Sequence, residues 1–162
     1  MSLTRMTKKR KRNPKKSKTD INNYKEDDMD SLALVSKACE AMKSAYTPYS
    51  GFKVGAALLT KGGKVYTGCN IENASYTPTI CAERVAFFSA VREGERDFCK
   101  IAIVGGKGGV ISSFTYPCGV CRQVMREFCR GDFTLVFYDG EKTAEYTLDE
   151  MMPHSFTPMD LK

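Results

Sequence analysis

Two short motifs constrain most tightly how this chain can fold: Cys81-Ala82-Glu83-Arg84 and, later, Pro117-Cys118-Gly119-Val120-Cys121. Each opens a segment of helical periodicity, Cys81 to Arg92 and Cys118 to Cys129. A sulfur at a helix start lies beside unpaired N–H groups and the positive end of the helix dipole, both of which favour a thiolate. If the two helix starts converge at one edge of a sheet, Cys81, Cys118 and Cys121 come together.

The remaining pattern predicts such a sheet. From Asp30 onward, Leu32, Val35, Cys39, Met42 and Tyr46 recur at three- and four-residue steps, a helix that Thr47-Pro48 ends. Lys53 to Leu59 and Lys64 to Cys69 read as strands joined by a hairpin turn at Lys61-Gly62-Gly63. In the helix from Cys81, the residues Ala82, Val85, Ala86, Phe88 and Val91 form the apolar side. Lys100 to Val104 is a strand, and Gly105 to Gly109 a flexible loop; no Ser or Thr follows its lysine, so it is not a phosphate cradle. Strands Thr134 to Tyr138 and Ala144 to Thr147 follow the helix from Cys118, and the C-terminus reads as irregular. The order α-β-β-α-β-α-β-β predicts an α/β fold, a three-layer α/β/α sandwich around one mixed five-stranded sheet.

Charge divides the chain in two. Positions 1–18 hold nine basic and no acidic residues, more than the formal net charge of +6, so residues 19–162 carry about −3. Residues 1–27 are expected to be a disordered basic tail and residues 28–162 one catalytic domain. The run Lys8-Lys9-Arg10-Lys11-Arg12 fits a solvated tail, and equally a nuclear-import address or an electrostatic tether to nucleic acid. No stretch approaches the ~20 apolar residues of a membrane span, and the polar N-terminus does not resemble a signal peptide. The expectation is a cytoplasmic protein, with a nuclear location open through the basic run. In a reducing compartment the seven cysteines are thiols or metal ligands.

A Cys-x-x-Cys pair alone fits a redox couple, half of a structural zinc site, or core thiols, as expected for Cys39, Cys69, Cys99 and Cys129. Three protein ligands with one open corner is the pattern of a catalytic zinc. Three thiolates leave such a centre net negative, and Arg84 is the cation placed to compensate, or else a surface arginine. Glu83 is a candidate proton carrier facing the open corner, or a helix-start glutamate stabilised by the dipole.

These motifs resemble the cytidine deaminase family of zinc deaminases, in which Cys-x-Glu is followed by Pro-Cys-x-x-Cys. The resemblance extends to Tyr49-Ser50-Gly51-Phe52-Lys53-Val54-Gly55-Ala56-Ala57, to Asn70-Ile71-Glu72-Asn73-Ala74-Ser75-Tyr76, and to Met152-Pro153-His154-Ser155-Phe156. It implies hydrolytic deamination of cytidine and 2′-deoxycytidine to the uridines, with release of ammonia, as in pyrimidine salvage. It also implies one Zn²⁺ per subunit on Cys81, Cys118 and Cys121, with Glu83 as acid and base and Arg84 supporting. By the same resemblance Phe52 packs on the cytosine ring, Asn70 and Glu72 bond the ribose 3′-hydroxyl, and the Ala82 backbone holds the base edge. Ala74 and Tyr76 match positions that reach a neighbour's site in a homotetramer, and Phe156 one that closes over the base. Met151-Met152 stands where a Leu-Leu pair is more usual. Three rivals stay open: a deaminase of a modified cytosine nucleoside such as blasticidin S, a polynucleotide deaminase using the basic tail, and a silent zinc protein. The acidic body and the carboxylate of Glu72 count against nucleic acid as a partner.

Overall fold

A computed structural model describes residues 30–162; the expected basic tail lies outside them. Short runs of apolar residues, continuous where both faces are covered, build the sheet: β1 (Phe52–Thr60), β2 (Val65–Cys69), β3 (Phe98–Lys107), β4 (Thr134–Tyr138) and β5 (Thr143–Thr147). They form one sheet in the order β2-β1-β3-β4-β5. β3 and β4 run parallel, and the other neighbouring pairs are antiparallel. The expected mixed five-stranded sheet is therefore present.

Side chains alternate between two cores, as the pleat requires. Ala57, Leu59, Ala102, Val104 and Val136 meet helix α1 (Ser31–Met42) on one face. Ala56, Leu58, Ile101, Ile103, Leu135 and Phe137 meet α2 (Ala82–Arg92) and α3 (Gly119–Phe128) on the other. Phe87 of α2 is fully buried, edge-on to Phe98 at 5.1 Å, a burial that contributes about 2–3 kcal/mol. The short helix α4 (Leu148–Met151) is capped reciprocally by Thr147 and Glu150.

Five expectations need correction. The buried stripe of α1 is Leu34, Val35, Ala38 and Met42, while Leu32 is exposed. Tyr46 lies beyond that helix, because its backbone N–H donates to Asn70 at 3.1 Å and its carbonyl accepts from Glu72 at 2.9 Å; tertiary pairing outweighs periodicity. In α2 it is Phe87 that faces the sheet, and Phe88 is exposed. Gly105 and Gly106 belong to β3, not to a loop. A Cβ on Gly106 would lie 1.8 Å from the Val110 carbonyl, so the turn that follows packs on bare backbone. The C-terminus is not wholly irregular, since α4 and a closing 3₁₀ turn, Pro158–Leu161, order it.

Candidate functional site

Cys81 and Cys118 are the N-caps of α2 and α3, both with extended backbone and neither sulfur bonded to its own helix end. The sulfurs therefore stay available to another partner. One turn into α3, Cys121 is buried, with its sulfur 3.5 Å from that of Cys118. The start of α2 reaches the same place because β2 offers a bare backbone at Gly68. A Cβ there would stand 2.3 Å from the Ala82 carbonyl, so glycine sets how closely helix and sheet approach. The three sulfurs lie within 4.8 Å of one another. Tetrahedral zinc with bonds near 2.3 Å separates its sulfurs by about 3.8 Å. The donor set fits that ion.

Arg84 lies beside the sulfurs. Its Nη2 donates to the Thr79 carbonyl at 3.1 Å and reaches Cys81 Sγ at 3.8 Å. Cys81 is drawn down to about 5 by a hydrogen bond from Cys121, and further by the Arg84 guanidinium, against its own burial. Cys121 moves the opposite way, because it keeps the proton of that bond and is itself buried. Before a metal displaces that proton, the pair already holds one negative sulfur next to a cation.

Glu83 follows Cys81 by two positions and is only 4% exposed. Burial, with a smaller push from the negative Cys81, raises its carboxyl to about 7. A carboxyl balanced near neutrality can both take and give a proton.

A second group of residues shapes the neighbouring surface. Ile71 bridges Tyr46 on one side and Ile80 on the other, which places the Asn70–Glu72 strip beside the segment entering Cys81. Asn70 Oδ1 accepts from Val54 N–H at 2.8 Å, and its Nδ2 donates to the Phe52 carbonyl at 2.9 Å. Glu72 Oε2 accepts from the N–H groups of Tyr49 at 2.9 Å and Ser50 at 3.2 Å. Bonding to the Ser50 side chain, then to those N–H groups, with Lys107 nearby, holds the Glu72 carboxyl below its ordinary value. Tyr49, Ser50, Glu72, Tyr76 and Thr79 line a cleft of about 440 Å³. Thr79 joins that cleft to the cysteines through its bond from Arg84.

The expected residues are thus unevenly gathered. Ala82, Glu83 and Arg84 stand with the sulfurs on α2, Ala82 fully buried. Phe52 opens β1, exposed beside the loop that Asn70 and Glu72 hold. Tyr76, exposed and with φ 56°, meets Tyr49 edge-on at 6.2 Å. Ala74 is exposed on the same strip. Phe156 is also exposed and lies along α3, where Gln123 Nε2 donates to its carbonyl at 3.0 Å. Sequence reasoning overlooked Thr79 and the N–H groups of Tyr49 and Ser50, since backbone donors leave no mark in residue type. It also overlooked Arg122, whose only signal is a cation directly after Cys121.

Residues 29–137 match the family model described as the cytidine and deoxycytidylate deaminase zinc-binding region. The chain is 44% identical to a cytidine deaminase of Sporosarcina psychrophila over 82% of this chain and 96% of that one. It is 47% identical to a cytidine deaminase of Halalkalibacterium halodurans over 82% and 98%. A crystal structure of cytidine deaminase from Burkholderia pseudomallei superposes with TM-score 0.73 at 43% identity, covering 79% of this chain and all, 100%, of that one.

Proposed function

The chain belongs to the cytidine deaminase family, and from that premise we propose that it hydrolyses cytidine and 2′-deoxycytidine to the corresponding uridines and ammonia, a pyrimidine salvage reaction. The observation that carries this reading is a buried carboxyl, Glu83, on the helix start that brings Cys81 to within 4.8 Å of two further sulfurs. Zinc held by Cys81, Cys118 and Cys121 would supply a Lewis acid that makes water a nucleophile near neutral pH.

The chain's own residues carry the protons. Glu83 removes one from the attacking water and delivers it to N3 of the cytosine ring, which makes C4 electrophilic. It then passes the remaining hydroxyl proton to the departing amine. Water thus supplies the oxygen of uridine, and the C4–N bond breaks to give ammonia. A carboxyl near 7 suits both transfers. Arg84 offsets the negative charge of the sulfurs.

Phe52 offers its ring to the base, and the Ala82 backbone borders the base edge. Both backbone donors on Glu72 fall on Oε2, and a carboxylate has acceptor capacity beyond those two bonds for a ribose hydroxyl. Each amide atom of Asn70 carries one bond and has capacity for another. A carboxylate at the 3′-position accepts a free nucleoside and repels a 3′-phosphate, which argues against a polynucleotide substrate. Ala74 and Tyr76 are exposed in the single chain, as side chains that reach a neighbour's site in a homotetramer should be, and the exposed Phe156 is read as closing over the base. We take residues 28–162 as the catalytic domain, preceded by a basic tail over 1–27, and the compartment as cytoplasmic. Among the described residues no helix is long and apolar enough to cross a membrane.

Loss of absorbance in the cytosine band tests the reading. Cytidine should be converted, a cytosine-containing single strand should not, and chelation should abolish the signal. Conversion of the strand in preference to the nucleoside would overturn it.

A further inference from the structure

Arg122 joins the turn that carries Cys118 to the C-terminal segment. Its backbone N–H donates to the Cys118 carbonyl at 3.0 Å. Its side chain folds back over the same turn, Nε donating to the Pro117 carbonyl at 2.9 Å and Nη1 to the Met151 carbonyl at 2.7 Å. Pro117 is buried and immediately precedes the sulfur-bearing residue. Met151 closes α4, where helix carbonyls have no partner within the helix. A guanidinium is a rigid fork, so it fixes two acceptors relative to each other; an ammonium is a point.

The same helix grips the C-terminal segment at further places. Arg126, 8% exposed, donates from Nη2 to Asp149 Oδ1 at 2.8 Å and to the Met152 carbonyl at 3.4 Å. Gln123 donates to the Phe156 carbonyl at 3.0 Å. α4 is seated from its other end by the N–H groups of Leu148 and Asp149, which donate to the carbonyls of Phe133 and Gly131 at 2.9 and 3.0 Å. α3 therefore presents two sulfurs at its start and sets the course of residues 148–156 along its side.

We propose that Arg122 is a positioning residue for the deamination. It ties the Cys118 turn to the segment that leads to Phe156, so that retention of the metal and placement of Phe156 are linked through one side chain, beside the grips of Arg126 and Gln123 on that segment. This rests on the reading of Cys118 as a zinc ligand and of cytidine as substrate. Without the guanidinium, the Pro117 and Met151 carbonyls lose their shared donor, and the Cys118 turn is no longer tied directly to the segment that Arg126 and Gln123 still hold. Gln123 contacts Phe156 and not the Cys118 turn, so it separates the two consequences.

The experiment uses the zinc-loaded full chain and the variants R122M, R122K and Q123A. Zinc release to a chromogenic chelator is timed, and kcat and KM for cytidine are measured alongside. R122M should release zinc about tenfold faster, the scale on which groups that support metal ligands act, and should raise KM. R122K reaches one carbonyl at a time and should fall between R122M and the unaltered chain. Q123A should raise KM and release zinc at the unaltered rate. Unchanged zinc release in R122M and R122K overturns the proposal, and so does equal acceleration in Q123A, which would mean a general loosening of α3. If R122M does not fold, R122K decides alone, and release at the unaltered rate overturns the proposal. An unaltered chain that takes up no zinc would refute the reading of Cys118 itself, a different failure that removes the proposal with it.

Discussion

Arg84 Nη2 stands 3.8 Å from Cys81 Sγ, both groups belonging to the first turn of α2. That proximity makes the negative sulfur and its cation a single local unit whose charge Glu83 feels. Burial raises the Glu83 carboxyl most, Cys81 adds to the rise, and Arg84 opposes it.

Replacing Arg84 by Gln removes the opposing charge. The acid limb of the kcat/KM profile should move to higher pH, and activity should fall by about 10–100-fold, as for other groups supporting a metal centre. A pH–rate series on the two proteins checks this. A limb that stays in place, or moves down, contradicts the electrostatic role.

Glu83 also has a stability consequence in the metal-free chain. Its folded value, about 7, lies above the ordinary 4.5, so ionising it opposes folding. Below pH 4.5 the carboxyl is protonated in both states and costs nothing; as pH rises through about 7 the cost grows to its full size, about 3 kcal/mol. Metal-free Glu83→Gln should match the parent in denaturant midpoint near pH 4.5 and exceed it at pH 8. A gap that does not widen with pH would show that the carboxyl is not desolvated as described.

Gly68→Ala tests the link between sheet and site. The added Cβ would meet the Ala82 carbonyl at 2.3 Å, forcing α2 away from β2 and Cys81 away from the other sulfurs. Overpacking of this kind costs about 1–3 kcal/mol. A lowered melting temperature together with weaker zinc retention is expected, and unchanged zinc retention in a destabilised variant would separate the two effects.

Glu72→Gln should raise KM for cytidine about tenfold with a smaller change in kcat, because the amide retains an oxygen for the loop N–H groups but loses the charge. Steady-state kinetics on cytidine and its analogue lacking the 3′-hydroxyl provide the check. The analogue should bind the variant and the parent almost equally, and an equal loss on both substrates contradicts contact with that hydroxyl.

Much of this architecture is legible in the residues. The three sulfurs could be grouped because each sits at a helix start, where Pro117 and the polar run before Cys81 end the preceding structure. Five strands could be located from short apolar runs and, for the first pair, from the glycine turn between them. The register of α1 was not legible, since Leu32 and Leu34 are equally apolar and only the sheet selects the second. Phe87 and Phe88 are ambiguous for the same reason. Gly105 and Gly106 look like a loop because flexibility and close packing demand the same residue. The double bond of Glu72 to the loop, and that of Arg122 to Pro117 and Met151, depend on backbone groups distant in sequence. No local pattern announces such partners.

The central claim is that a zinc ion on Cys81, Cys118 and Cys121 works with Glu83 on a free cytosine nucleoside. Ammonia release from cytidine tests it most directly, measured on the zinc-loaded chain, after chelation, after zinc is restored, and in Glu83→Gln with its zinc content determined. The account predicts ammonia matching uridine in the loaded and restored chain, none after chelation, and a loss of about 10²–10⁴-fold in a variant that still holds zinc. Ammonia release that persists without metal, or a zinc-loaded Glu83→Gln that turns over at the parent rate, would contradict it.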